Sequence, residues 1–284
     1  MSNAESLAPD TIPTGNLPIK PRKMAFGLEN IERQYFFNDN LLLSAWVSAL
    51  SASFPPGESE FIASVRNYRD QITDPQQLED IRGFIGQEGH HSHQHKQLNE
   101  SLTNLGFDVV RLEKYFEGVV SRQLKNSSDK RRLAITSGME HLTAIMSDYV
   151  LQNQNQFNNV DSHFIDLFNW HAVEEIEHKA VAFDVYMATE GDEAYLRRML
   201  IVATLIFFRH IIVGFVRLLW WNKKLPSWKD IRGFWRFLGG KHGMMRWISR
   251  PYKDYLKKGF HPWDHQNQAL VDEWKNNLSH GQHG

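Results

Sequence analysis

Two glutamate–histidine pairs at helical spacing constrain this chain more than any other feature. The first lies in Gly86-Gln87-Glu88-Gly89-His90-His91-Ser92-His93-Gln94-His95, the second in His171-Ala172-Val173-Glu174-Glu175-Ile176-Glu177-His178. On an α-helix, turning about 100° per residue, Glu88, His91 and His95 fall within roughly 60° of one another, and so do His171, Glu175 and His178. Each segment therefore gathers one carboxylate and two imidazoles on a single face, while His90, His93, Glu174 and Glu177 point away from it. The order is mirrored: the extra histidine follows the Glu-x-x-His in the first helix and precedes it in the second. A lone Glu-x-x-His is usually accidental, but two of them 87 residues apart, each on a long helix, form a pattern.

Composition narrows what that pattern can hold. None of the 284 residues is cysteine, which excludes disulfides, thiolate nucleophiles, zinc fingers and iron–sulfur clusters. A transition-metal site must then use imidazole and carboxylate, and 14 histidines are available. The absence of cysteine fits a reducing compartment, and the N-terminus lacks the basic, apolar, small-residue order of a signal peptide, so the expected location is the cytoplasm.

Residues 1–23 hold Pro9, Pro13, Pro18 and Pro21 with little periodicity and read as an extended or disordered arm. Beyond it helix signals dominate. Asn38 or Asp39 is placed to cap a helix to about Ser53; Phe54-Pro55-Pro56-Gly57 is expected to break or kink it before a second stretch from Glu58 to Gln71. Asp74-Pro75, Asp108, Ser127 or Ser128, Asp161 and Asp192 read as starts of further helices, the Asp161 helix running to Gly191. No β-branched alternation or hairpin signal occurs. The expected fold is all-α: a four-helix bundle over 24–191, with a helical extension over 192–284 packed on it in the same domain.

Dinuclear carboxylate bundles take a Glu-x-x-His from each of two helices and a single Glu from each of the other two. The missing glutamates are at hand. Glu58 opens the helical stretch before the first motif, with Glu60 as a rival, and Glu140 stands in an otherwise apolar stretch between the motifs. Four glutamates against two divalent cations leave a nearly neutral buried site, whereas four carboxylates alone would repel one another.

The segments Phe54-Pro55-Pro56-Gly57-Glu58, Phe84-Ile85-Gly86-Gln87-Glu88-Gly89-His90-His91-Ser92 with His95, and Trp170 to Lys179 resemble a bacterial family labelled "predicted metal-dependent hydrolase", over about residues 25–264. The spacing of His171, Glu175 and His178 is also similar to that of the di-iron arylamine N-oxygenases, which have a ferritin-like dinuclear site with an additional histidine ligand. The resemblance implies Glu58, Glu88, His91, Glu140, Glu175 and His178 as ligands of two metal ions, with His171 as a seventh. His95 is an eighth candidate, as a ligand or as a donor orienting a carboxylate. Iron is the favoured metal, with manganese or zinc as alternatives.

Three functions compete. The first expectation is an O2-activating oxidase or oxygenase acting on a small or apolar organic substrate. The alternatives are a metal-dependent hydrolase using an activated water and a ferritin-like metal-binding protein without turnover. Glu174 and Glu177 are expected to pair with Lys179 or solvent, Asp184 to face a ligand histidine or the surface, and His261 and His265 to belong to a docked C-terminal segment.

The net charge of −1 conceals an asymmetry. From Tyr195 to Lys258, 15 Lys or Arg face only Asp230 and Asp254, a local +13, so the rest carries −14. The stretch also holds five of the nine tryptophans and the most apolar run, Met199 to Val216, interrupted by Arg209 and His210. That run falls short of the roughly 20 apolar residues of a membrane span. Residues 195–258 read either as a buried helix with a solvated basic face or as a peripheral membrane contact at the inner face of a membrane, delivering a lipid-like substrate. Homodimerisation through the same surface is a further expectation; no nucleic-acid signature accompanies the charge.

Overall fold

A computed structural model describes residues 19–281. Among them are ten α-helices and no β-strand, only an isolated bridge between Phe37 and Val160. The fold is all-α, as the periodicity predicts. The helices are α1 (Leu41–Arg66), α2 (Pro75–Asn104), α3 (Val109–Leu124), α4 (Asp129–Gln152), α5 (Ser162–His178), α6 (Val181–Thr189), α7 (Glu193–Asn222), α8 (Trp228–Gly239), α9 (Met244–Asp254) and α10 (Gln268–Gly281).

Side-chain caps set most of the starts. Asp74, Asp108, Ser128, Asp161 and Asp192 each accept a hydrogen bond from a backbone N–H of the first turn, and Ser227 forms a capping box with Asp230. The first helix departs from expectation. Asn38 and Asp39 have φ of 56° and 47°, a left-handed conformation unsuited to a cap, and Asn40 takes that role by accepting from Leu43 N.

The expected break at Pro55-Pro56 does not occur either: α1 runs through both prolines. Proline lacks the N–H that would bond the carbonyl four residues back, and the carbonyl that Pro55 leaves free, that of Ser51, accepts from Asn99 Nδ2 of α2 at 3.4 Å. A neighbouring helix thus supplies the missing donor. The expected single helix from Asp161 to Gly191 is interrupted after His178. There Lys179 turns to the C-terminal segment, donating to His265 O and Asn267 Oδ1. Pro251 lies within α9 instead of breaking it.

Helix α1 packs on α2, α4 on α5, and the two pairs meet through α1 with α4 and α2 with α5. On α1, α2 and α4 a polar segment lies between apolar ones, and on α5 it ends the helix. On α2, Ile81 and Phe84 precede Glu88, His91 and His95, and Leu98 and Leu102 follow; on α5, Leu167 and Trp170 precede the His171–His178 stretch. One apolar cluster gathers around Phe36, Leu98, Phe164 and Trp170, the other around Val65, Phe84, Leu142 and Tyr186. They close the two ends of the polar middle.

Residues 1–18 of the expected arm lie outside the described residues. Residues 19–23 carry no regular secondary structure and lie against α2, where the absence of a Cβ on Gly83 makes room for Ile19. Helix α7 packs along α4 and α1. A Cβ on Gly138 of α4 would stand 3.0 Å from Ala203 Cβ and 3.1 Å from Leu200 Cα, both on α7. Gly138→Val should therefore force these helices apart and destabilise the protein by about 1–3 kcal/mol. Urea unfolding would show it; an unchanged midpoint would mean that α7 is not seated there.

Candidate metal centre

All eight candidates predicted from the sequence, Glu58, Glu88, His91, His95, Glu140, His171, Glu175 and His178, are buried between α1, α2, α4 and α5. They form two groups of converging atoms. Glu88, His91, Glu175 and His178 each place one nitrogen or oxygen within 4.8 Å of the others, and Glu58, His95 and His171 do the same. The groups adjoin: the His91 and His171 rings stack at 4.1 Å, and His171 Nε2 lies 2.8 Å from Glu175 Oε1. Glu140 belongs to neither group; its Oε2 accepts from His178 Nδ1 at 2.9 Å. The rival Glu60 is held by Arg132 at 2.6 and 2.8 Å and is thereby withdrawn from the cluster.

A polar shell sets which imidazole nitrogen carries the proton. His91 Nε2 donates to Glu174 Oε2 at 3.1 Å, leaving Nδ1 as a lone pair turned to the cluster. His178 donates through Nδ1 to Glu140, which frees Nε2, 3.2 Å from Glu88 Oε1. Because the Ser51 hydroxyl donates to Asn99 Oδ1, His95 Nδ1 donates to Ser51 Oγ, and His95 Nε2 faces His171 Nδ1 at 2.7 Å. Hydrogen bonds from the rear nitrogen to carboxylate or hydroxyl are how metal-binding histidines are commonly oriented.

Part of that shell departs from expectation. Glu174 and Glu177 pair neither with Lys179 nor with solvent. Both are buried, and Arg22 from the extended N-terminal segment bonds to each, at 3.0 Å to Glu174 and 2.6 and 2.9 Å to Glu177. Gln87 and Lys275 also donate to Glu177. Neither Arg22 nor the buried state of Glu174 has a periodic signature in sequence; the one available hint is a carboxylate beside the candidate ligand Glu175. Asp184 pairs with His261 at 2.9 Å rather than with a ligand histidine, and His265 pairs with Asp254, so the C-terminal histidines stay outside the cluster.

The electrostatics describe carboxylates in want of a cation. Burial, then the charges of Glu175 and Glu140, push Glu58 well above the usual carboxylate range; burial, then Glu140 and Glu175, do the same to Glu88. Glu140 is raised by burial, with His178 opposing, and Glu174 is raised by burial to about 8 against the pull of Arg22. Burial also acts on Glu175, but the hydrogen bond from His171 and the charge of His178 outweigh it and hold it low. Burial and the neighbouring imidazole of His171 push His91 and His95 well below their ordinary value. His178 rises to about 9 because Glu140 overcomes its burial.

Eight buried atoms of the cluster have no hydrogen-bond partner: both oxygens of Glu58 and of Glu88, Oε1 of Glu140, Oε2 of Glu175, Nδ1 of His91 and Nε2 of His178. A buried acceptor without a partner is costly. Buried oxygen and nitrogen atoms converging without a hydrogen-bond partner are what a cation satisfies, so these residues fit metal ions. A model of the family described as predicted metal-dependent hydrolase matches residues 20–266. The chain belongs to that family. No curated protein matches it, and no solved structure does. Family and cluster agree on a metal-dependent enzyme.

Two cavities flank the centre. One, of about 440 Å³, lies between α1, α3, α4 and α7 and has Glu58 in its wall; a smaller one, of about 80 Å³, reaches His171 and Glu175. Phe54 and Thr143 line both.

Metal removal should expose the electrostatic burden. A group whose folded pKa is raised contributes stability at low pH that is lost as pH rises through that pKa, which applies to Glu58, Glu88, Glu140, Glu174 and His178. His91 and His95, depressed, contribute stability that is lost as pH falls below about 6.5. Chelated protein should therefore lose stability as pH rises from about 6.5, where the histidine contribution is complete, towards 8.5. Loaded protein should gain over it increasingly as pH rises, because metal competes with protons. Calorimetry with and without chelator checks this; a chelated protein most stable at pH 8.5 would contradict it.

Proposed function

We propose that this protein is a metal-dependent hydrolase whose two ions sit between four helices in a ferritin-like arrangement. The observation that carries the reading is the set of eight unpartnered buried atoms, all within one cluster of carboxylates and imidazoles. Glu88, His91, Glu175 and His178 would hold one ion, and Glu58, His95 and His171 the other, with Glu175 joining the two groups through its contact with His171. The donor set of oxygen and nitrogen without sulfur suits zinc, manganese or iron. Bound there, such ions supply Lewis acidity and lower the pKa of a water, the chemistry that hydrolysis needs.

The chain's own residues do the rest. Glu174, fixed by Arg22, keeps the His91 proton on Nε2, and Glu140 keeps that of His178 on Nδ1. The larger cavity, walled by Phe54, Phe61, Phe116, Ile135 and Phe207, takes the apolar part of a substrate beside the centre, with Glu58 in its wall. The oxygen-activating reading draws on the same ligands; the family description favours hydrolysis.

The test uses p-nitrophenyl esters of graded acyl length under anaerobic conditions. Chelated protein should be inactive, zinc or manganese should restore turnover without oxygen, and Glu175→Gln should lower it at least about a hundredfold. Turnover that requires both iron and oxygen would contradict hydrolysis and return the oxygenase reading to first place.

A further inference from the structure

Helix α7 carries a face that no other described residue covers. Ile201, Leu205, Ile212, Val216 and Trp220 recur at spacings of four and seven residues, and all are about half exposed or more, Leu205 at 67% and Trp220 at 73%. The opposite face, with Leu200, Ala203, Ile211 and Gly214, is buried against α4 and α1. By length and composition α7 is apolar enough to cross a membrane, a test that core helices also pass. Its packing on the body means that it lies along a surface instead of spanning one.

Charge selects among occupants of this face. No acidic residue occurs between Glu193 and Asp230, a stretch that includes Arg209, Arg217, Lys223, Lys224 and Lys229. Arg217 rests on the Tyr115 ring and Lys224 donates to Gln34, both neutral partners. A second copy docked face to face would bring its own basic stretch against this one. An anionic lipid surface instead offers opposite charge to the rim and hydrocarbon to the stripe, the division that interfacial helices use.

The larger cavity opens beside this face. Leu205 belongs to the exposed stripe and to the cavity lining, and Arg209, also exposed, lines it too, as does Arg131 from α4. From there the lining continues through Ile135 and Met139 to Glu58. Among the described residues neither Arg131 nor Arg209 has a carboxylate partner: Arg131 contacts Met199 Sδ, and Arg209 contacts His210. We propose that α7 seats the protein on an anionic membrane surface, and that the cavity takes from it an amphiphile, with its apolar chain inside and its polar end at Arg131 and Arg209. This names the substrate class for the site proposed above and rests on that reading for what happens to the ligand, but not for docking or binding.

The test is co-sedimentation of the full-length protein with vesicles of phosphatidylcholine alone and of phosphatidylcholine with phosphatidylglycerol. Binding should require phosphatidylglycerol, weaken with salt, and fall at least about tenfold in the triple variant Ile212→Ser, Val216→Ser, Trp220→Ser, with unchanged circular dichroism. Wild type that ignores phosphatidylglycerol at low salt would overturn the docking surface, as would a folded triple variant that binds equally well. A vesicle-indifferent wild-type dimer that the triple variant splits would assign the face to a second copy, also overturning it. For the cavity, dansyl-undecanoic acid should fluoresce on binding, and Met139→Trp, which fills the lining, should abolish the signal; no signal with wild type overturns the ligand class. Loss of ester hydrolysis with these results intact would sink the hydrolase reading and leave this one standing.

Discussion

Eight ionisable side chains buried at one level between four helices are the constraint on which this structure depends. Carboxylates in a low-dielectric interior repel one another, and none of Glu58, Glu88, Glu140 and Glu175 has a lysine or arginine on it among the described residues. What surrounds them makes the arrangement tenable. Apolar clusters close both ends, Glu174 and Ser51 fix the rear nitrogens of His91 and His95, and Glu140 does so for His178. Unpartnered atoms of Glu88, His91, Glu175, His178 and Glu58 remain on residues whose ligand atoms converge, which is why cation binding and folding should be coupled in this protein.

Much of this was legible because it is local. Helical period alone puts Glu88 with His91 and His95, and Glu175 with His171 and His178; Asp and Ser caps mark helix starts to within a residue or two. What could not be read depends on partners distant in sequence. The helix survives Pro55 because Asn99, 44 residues later, reaches the Ser51 carbonyl. Arg22, in a stretch read as an arm, reaches Glu174 and Glu177 more than 150 residues away. Helical angle correctly turned Glu174 off the face shared by Glu175, but angle does not report what lies on the other side, and there Glu174 meets His91. Glu140 was read as a metal ligand; it lies outside both groups of converging atoms, and that it backs His178 is a matter of side-chain placement that spacing does not contain.

Helix α7 shows how a hydropathy pattern conceals a division of labour. Its apolar run is long, interrupted by Arg209 and His210, because both faces are apolar for different reasons. Gly138 lets one face approach α4 closely, while the stripe from Ile201 to Trp220 is left uncovered. The near-zero net charge is likewise a sum of unlike parts, an acidic body around the cluster and a basic region around this helix.

The central claim is that the cluster is a metal centre, and its most direct test is elemental analysis of purified protein together with anomalous scattering from a crystal. The account predicts two metal ions per chain, one among Glu88, His91, Glu175 and His178 and one among Glu58, His95 and His171. A folded protein whose cluster takes up no metal from solutions of zinc, manganese or iron would contradict it.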